Sequence, residues 1–427
     1  MKFKLKIIHW LTLLWLLLIV FQHEVLFQYL SLWFGYAKLF FVDFSEAIDV
    51  LSLKLVNVIL SLKLFVFLPA LYIIFRKKWI FLQGNLNFSY ALLSLLIWIL
   101  IFAPIITDEN PEFSKNLAVT KLLPPFSSVK ILHLAGELES SQSEKEKFHM
   151  RLNQTVKPAF NERIIFADSV IVSESVVYFQ KTQKSELQKN ELLLKNGEPF
   201  IQNKYFLLGT DEYGRDSFAR LIYGTRISLF VGFGAVVLSF IIGIILGFIA
   251  GYSGGIFDTV LNRFTELFLS FPVIYLIVLI LALFGSSLFS VIIVLGISGW
   301  MTLFKIVRGE VVSIKQRDFF ISAESIGLKK SQLLAKEILP VILAPVIVNL
   351  VFLFSNVILA EAALSYLGLG TGNLYPSWGA MINSGQEYIY KAWWMIAFPG
   401  AALILTLFAA NSSGRRINKI INPRLDK

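Results

Sequence analysis

Residues 305–340 read KIVRGEVVSIKQRDFFISAESIGLKKSQLLAKEILP, a charged, glycine-interrupted segment between two long apolar runs. An apolar chain keeps such a segment only where it meets water. Its length allows two helices: one over 318–325, a reversal at Gly327, and a second over 331–338 that stops before Pro340. Glycine just past a helix end accepts the left-handed conformation that reverses a chain. Proline lacks the N–H that would extend a helix. The segment reads as a helix–turn–helix knob on the cytoplasmic side of a membrane domain, shaped to pass on a push.

Composition supports that setting. Hydrophobic residues make up 56% and charged residues 16% of the 427, against about 25% charged in soluble globular proteins. Mean hydropathy is +0.69. The chain reads as an all-α polytopic membrane protein whose first partner is the lipid bilayer. Net charge is +10, but the basic residues gather at the ends of apolar runs, where they anchor cytoplasmic loops. No basic–aromatic groove or finger motif points to nucleic acid. The chain has no cysteine, which excludes a disulfide framework, a thiolate metal site and a cysteine nucleophile. There is no GxxxxGK[ST] string, no GxSxG elbow and no HExxH pair. His9, His23, His133 and His149 lack ligand spacing. We expect no enzyme activity, no metal and no cofactor in this chain.

Apolar runs of about 20 residues cross a bilayer. The expected spans are 7–30, 50–75, 88–106, 227–250, 264–284, 287–307, 341–364 and 392–410. Lys2, Lys4 and Lys6, then Arg76, Lys77 and Lys78, then the 305–340 segment, then Arg415, Arg416, Lys419 and Arg424 all fall on one side. That side is the cytoplasm, with both termini in it. The basic start is read as leading into a retained span, because no small-residue cleavage site follows. Lys54 and Lys63 interrupt the second span; Lys54 can snorkel, while Lys63 needs a partner or water. Residues 107–204 turn polar and form an extracytoplasmic insert, with a solvated helix at 144–147 and a strand over 170–179. Four regions follow: 1–80 with two extra spans, 81–106 with the first span of the core, the insert, and 205–427 with five spans and the 305–340 loop.

Gly232, Gly234, Gly243, Gly247 and Gly251 allow close helix approach, with sliding against a neighbour as the functional version. Glu266 lies near Asn262 and Arg263 and suits an i,i+3 ion pair. Pro272 is expected to kink its helix. Asn349 and Asn356, seven apart on one helical face, are candidates for a translocation path. Trp378, Trp393 and Trp394 suit a membrane–water boundary.

Several ordered strings carry a resemblance. Leu208-Gly-Thr-Asp-Glu-Tyr-Gly-Arg-Asp216 is followed by Leu221-Ile-Tyr-Gly-Thr-Arg-Ile-Ser228. Later come Ala250-Gly-Tyr-Ser-Gly-Gly255, Ala360-Glu-Ala-Ala-Leu-Ser-Tyr-Leu-Gly-Leu-Gly370, Pro376-Ser-Trp-Gly379 and Asn422-Pro-Arg-Leu425. Over 88–106 and 205–427 the chain resembles the second permease subunit of ABC importers for oligopeptides, dipeptides and nickel. Gly209, Thr210, Asp211, Gly214, Arg215 and Asp216 match that family's first signature. The resemblance implies a six-helix type I importer domain, here with two extra N-terminal spans and an enlarged insert between spans 3 and 4. It also implies a sister permease as heterodimer partner, two ATPase subunits that bind ATP and magnesium, and an extracytoplasmic substrate-binding protein. The setting is the cytoplasmic (inner) membrane and the motion is alternating access. Aligned on Gly327 and Ile338-Leu-Pro340, the family's EAA string falls on Ile321-Ser322-Ala323, so its opening Glu is replaced. Glu361-Ala-Ala363 belongs to the outer end of a helix instead. We expect Phe319, Phe320 and Ala323 to form the ATPase contact, with Arg317 and Lys329 at its rim. An ion-coupled secondary transporter and a membrane scaffold or receptor are the alternatives.

Overall fold

The computed structural model describes residues 6–75, 86–135, 148, 152, 163–195, 197–329, 332–371 and 375–421. The basic cluster at 76–78, the expected helix at 144–147, His149 and the tail motif from Asn422 lie outside them. The chain folds as two compact units.

The first unit comprises Met1–Leu86, Ile97–Arg226 and Ser384–Phe398. Its N-terminal helices are α1 (Ile7–Phe21), α2 (His23–Val42), α3 (Phe44–Val50) and α4 (Leu53–Phe75). The apolar run expected as one span over 7–30 is divided at Gln22, whose backbone leaves helical geometry. At 15 residues α1 is shorter than a membrane span, whereas the 20-residue α2 is long and apolar enough to cross. Lys63 finds its partner in the ring of Trp33, 5.7 Å from the centroid. Helix α5 (Phe88–Ile106) has the expected bounds and carries Pro104 near its end.

The described residues of the insert include eight strands and a short helix, α6 (Leu117–Thr120). A sheet of order β2-β1-β8 pairs β1 (Ser127–His133) antiparallel with β2 (Ile164–Ala167) and β8 (Ile201–Phe206). The strand expected over 170–179 is a hairpin, β3 (Ser169–Val172) and β4 (Val176–Gln180). Ser173-Glu-Ser175 supplies the reversal, and polar residues at that point break the β-branched run. Strand β5 (Gln183–Leu187) completes that sheet, and β6 (Leu194–Lys195) pairs with β7 (Glu198–Pro199). Val119, Val129, Phe166 and Phe206 form one small core here, and Leu132, Ala167, Val176 and Leu192 another. His133 bonds Gln202 through Nε2 at 3.0 Å and lies against Phe200.

The second unit comprises Asn87–Leu96, Ile227–Asn383 and Pro399–Lys427. Helix α7 (Ser217–Ser253) enters it and is followed by α8 (Gly255–Ser270) and α9 (Val273–Phe284). The kink expected at Pro272 is a full break, with α8 and α9 bent by 85°. Glu266 therefore sits on the separate helix α8, where Arg263 reaches it at 3.0 Å. Helix α10 (Leu288–Ile314) leads to α11 (Asp318–Ser325), a π-helical turn (Leu333–Ile338) and α12 (Leu339–Tyr366). The chain ends in α13 (Trp378–Gln386) and α14 (Trp394–Ile421).

Helices α7 and α10 run parallel in close contact. A Cβ at Gly243, Gly247 or Gly251 would meet Leu303, Val307 or Val311 within 3 Å. The glycine ladder therefore packs, every four residues, into a matching aliphatic ladder. Among the described residues six helices are long and apolar enough to cross a membrane, or up to eight if each of two bent pairs is one span.

Candidate functional site

The knob expected from residues 305–340 is present. Helix α11 spans Asp318–Ser325, and Gly327 reverses the chain with φ +86°. The stop expected at Pro340 does not occur. The π-helical turn runs straight into α12 with Pro340 in its first turn. A π turn carries one extra residue and gives the proline ring room against the preceding turn.

The expected contact face needs correction. Phe320 and Ala323 are buried in a core with Leu303, Val307, Val311, Ile314, Leu333, Ile338, Ile342 and Val346. Helical spacing explains it: residues three apart share a face, and adjacent residues such as Phe319 and Phe320 do not. The knob instead exposes Phe319, Ile321 and Ile326, the last 81% accessible, with Arg317, Glu324 and Lys329 also at the surface. Two polar ties secure its base. Lys315 Nζ donates to the Tyr252 carbonyl at 2.6 Å, and Arg308 forms a two-pronged ion pair with Asp258.

In the first unit the signature string Gly209–Asp216 is a closed loop. Gly209 (φ +75°) leaves no space for a Cβ, which would lie 2.4 Å from the Leu123 carbonyl oxygen. Thr210 is fully buried, and its hydroxyl receives the Leu123 N–H. The Trp394 indole N–H donates to the Thr210 carbonyl at 3.0 Å. Asp211 takes the N–H groups of Tyr213 and Arg215 on Oδ1, each at 2.9 Å, and the Arg215 Nε on Oδ2 at 2.7 Å. Glu112 bridges Arg215 and Arg220 at 2.6 and 2.7 Å. Asp216 accepts from the Phe218 and Ala219 N–H groups at the start of α7. Burial, reinforced by Glu109, pushes the Asp216 carboxyl up to about 6. Burial, then Asp211, also raises that of Glu212.

A third polar cluster lies in the second unit. Glu361 on α12 is fully buried and accepts hydroxyl protons from Ser228 at 3.0 Å and Ser365 at 2.7 Å, with Ser377 also bonded. The Trp378 N–H donates in turn to Ser228 Oγ. Sequence reasoning set Glu361 aside as part of a helix end. A carboxylate inside a long apolar run was the signal to keep it. Trp378 and Trp394 are buried keystones rather than boundary anchors, whereas Trp393 is 55% exposed. Asn349 is half-buried and Asn356 exposed on α12.

By fold this is a multi-pass helical membrane protein with a surface knob between two packed spans. Residues 243–427 match the family described as the binding-protein-dependent transport system inner membrane component. The dipeptide transport system permease protein DppC of Bacillus subtilis (strain 168) is 38% identical over 51% of this chain and 68% of its own length. The oligopeptide permease OppC of the same organism is 34% identical over 55% of this chain and 76% of its own. OppC of Haemophilus influenzae is 38% identical over 52% and 71%. A chain of the MetNI methionine ABC transporter, solved in inward-facing conformations, aligns with a TM-score of 0.39 at 18% identity, over 47% of this chain and 96% of its own. The chain belongs to the family of binding-protein-dependent ABC importer permeases.

Proposed function

We propose that this chain is the permease subunit that carries peptides across the cytoplasmic membrane in an ATP-driven importer. Nickel or another small solute is the second choice of cargo. Its relatives, permeases of dipeptide and oligopeptide transport systems, support peptides. A sister permease completes the pathway, a binding protein delivers cargo, and two separate ATPase subunits hold ATP and magnesium.

The observation that carries the reading is the shared core of the knob and its spans. Phe320, Ala323, Leu333 and Ile338 are packed with Val307, Val311, Ile342 and Val346. A push on α11 cannot be absorbed locally, because close-packed interiors transmit displacement. It moves α10 and α12 together, which is the rigid-body motion alternating access needs. The exposed patch of Phe319, Ile321 and Ile326 is the ATPase contact, rimmed by Arg317 and Lys329. Ile321 makes the contact apolar where the family's string opens with Glu. Asn349 and Asn356 line the path on α12. Both termini face the cytoplasm.

Gly327→Pro tests it. Proline cannot adopt φ +86°, and a Cβ here meets nothing within 4 Å, so the defect stays local. Expected are normal membrane insertion and loss of cargo-stimulated ATP hydrolysis in the assembled complex. Normal stimulated hydrolysis overturns the assignment.

A further inference from the structure

We propose that the N-terminal helices α1–α4 are a built-in brace for the first core helix, docked on the backbone carbonyls at its distorted end. Helix α5 carries Pro104, and Phe102 departs from helical geometry with φ −107° and ψ 15°. Proline has no N–H to offer the carbonyl four residues back. The last turn of any helix also ends in carbonyls without helical donors. Residues 102–105 are buried in the protein, so water does not satisfy their carbonyls and a polar partner must.

The N-terminal segment places donors at three points on this end, two on last-turn carbonyls and one on Ile101, next to the carbonyl that Pro104 leaves without a donor. The Ser61 hydroxyl on α4 donates to the Ile101 carbonyl at 2.8 Å. The Tyr29 hydroxyl on α2 donates to the Pro104 carbonyl at 2.8 Å. The Gln22 amide, at the break between α1 and α2, donates to the Ile106 carbonyl at 2.8 Å. The interruption at Gln22 thereby has a purpose, since it aims an amide at the end of α5.

Ring packing closes on the same point. Phe102 is fully buried, Phe65 of α4 meets it edge-on at 5.6 Å, and Trp15 of α1 stacks on Phe65 at 5.5 Å. Asn57 of α4 accepts from the guanidinium of Arg226, the arginine of the Leu221–Ser228 string. A simple membrane anchor would offer its neighbours apolar side chains. Donors converging on the carbonyls of one distorted helix end are the mark of a fixed intramolecular partner.

The test uses the full chain in its assembled complex, tagged at the C-terminus, with a protease site placed within residues 76–85. After cutting in mild detergent, the N-terminal fragment is expected to stay bound through tag purification. In the triple variant Gln22→Leu, Tyr29→Phe, Ser61→Ala its release accelerates about twentyfold, the factor expected for three hydrogen bonds of the strength measured inside membranes. Should the triple variant fail to insert, Tyr29→Phe alone removes a single hydroxyl and is expected to speed release about threefold. Immediate release of the wild-type fragment, or release of the variants at the wild-type rate, overturns the proposal.

Discussion

The signature loop at Gly209–Asp216 and the knob at Asp318–Lys329 are both charged, glycine-marked interruptions of an apolar chain, and they use those residues in opposite ways. In the loop nearly every polar group is consumed inside the protein. Asp211 holds two backbone N–H groups and a guanidinium, and Glu112 joins two arginines. In the knob Phe319, Ile321 and Ile326 face outward, and the polar ties are few: Lys315 and Arg308 at its base and the Tyr252 hydroxyl on Glu324. A motif that spends its polar groups internally is built for shape. One that leaves an apolar patch exposed has a surface to offer, and the proposed function places the ATPase there.

The contrast breaks most readily at its glycines. Gly209→Ala forces a side chain into a left-handed backbone position and against the Leu123 carbonyl. It is expected to destabilise the permease by about 2–4 kcal/mol. Gly327→Ala has the same backbone strain but open space around it, and should cost about 1 kcal/mol. Thermal unfolding of the two purified variants decides; equal losses would erase the distinction between the regions.

Arg215→Met comes next. It leaves both Asp211 and Glu112 with Arg220 alone. Arg215 and Glu112 keep some solvent access, so the loss is discounted to about 2 kcal/mol. Urea unfolding checks it, and an unchanged midpoint would show that the charges are surface decoration.

A smaller effect sharpens the same point. With its carboxyl raised to about 6, Asp216 in the folded protein holds its proton above the ordinary value of 3.8. Between those values the folded state binds more protons than the unfolded chain. Stability therefore falls as pH rises from about 4 to about 6, and this contribution is flat above. Asp216→Asn is expected to flatten that part of the profile of unfolding temperature against pH. An unchanged slope would assign it elsewhere.

Much of this was legible in the sequence because chemistry changes sharply at the informative places. The α11 bounds and the reversal at Gly327 follow from a charged segment with one glycine, and α5 from an uninterrupted apolar run. The face of α11 was not legible. Two adjacent phenylalanines look alike in sequence, and only the core formed by α10 and α12 selects Phe320 for the inside. Tryptophan misled for a related reason. Trp378 and Trp394 have the amphipathic character of boundary anchors, but both are buried, and Trp394 spends its indole N–H on the carbonyl of Thr210, far away in sequence. The partner of Gln22 was not legible, because the Ile106 carbonyl lies on another helix.

The account depends on force from separate ATPases entering through the exposed patch of the knob. Because the native chain has no cysteine, Ile326→Cys gives this chain a single thiol, at the most accessible of the knob's described apolar residues. The decisive measurement is the labelling rate of that thiol by a water-soluble maleimide, in the permease alone and in the complex trapped with nucleotide. We predict that the complex slows labelling by tenfold or more; equal rates in the two states would contradict the account.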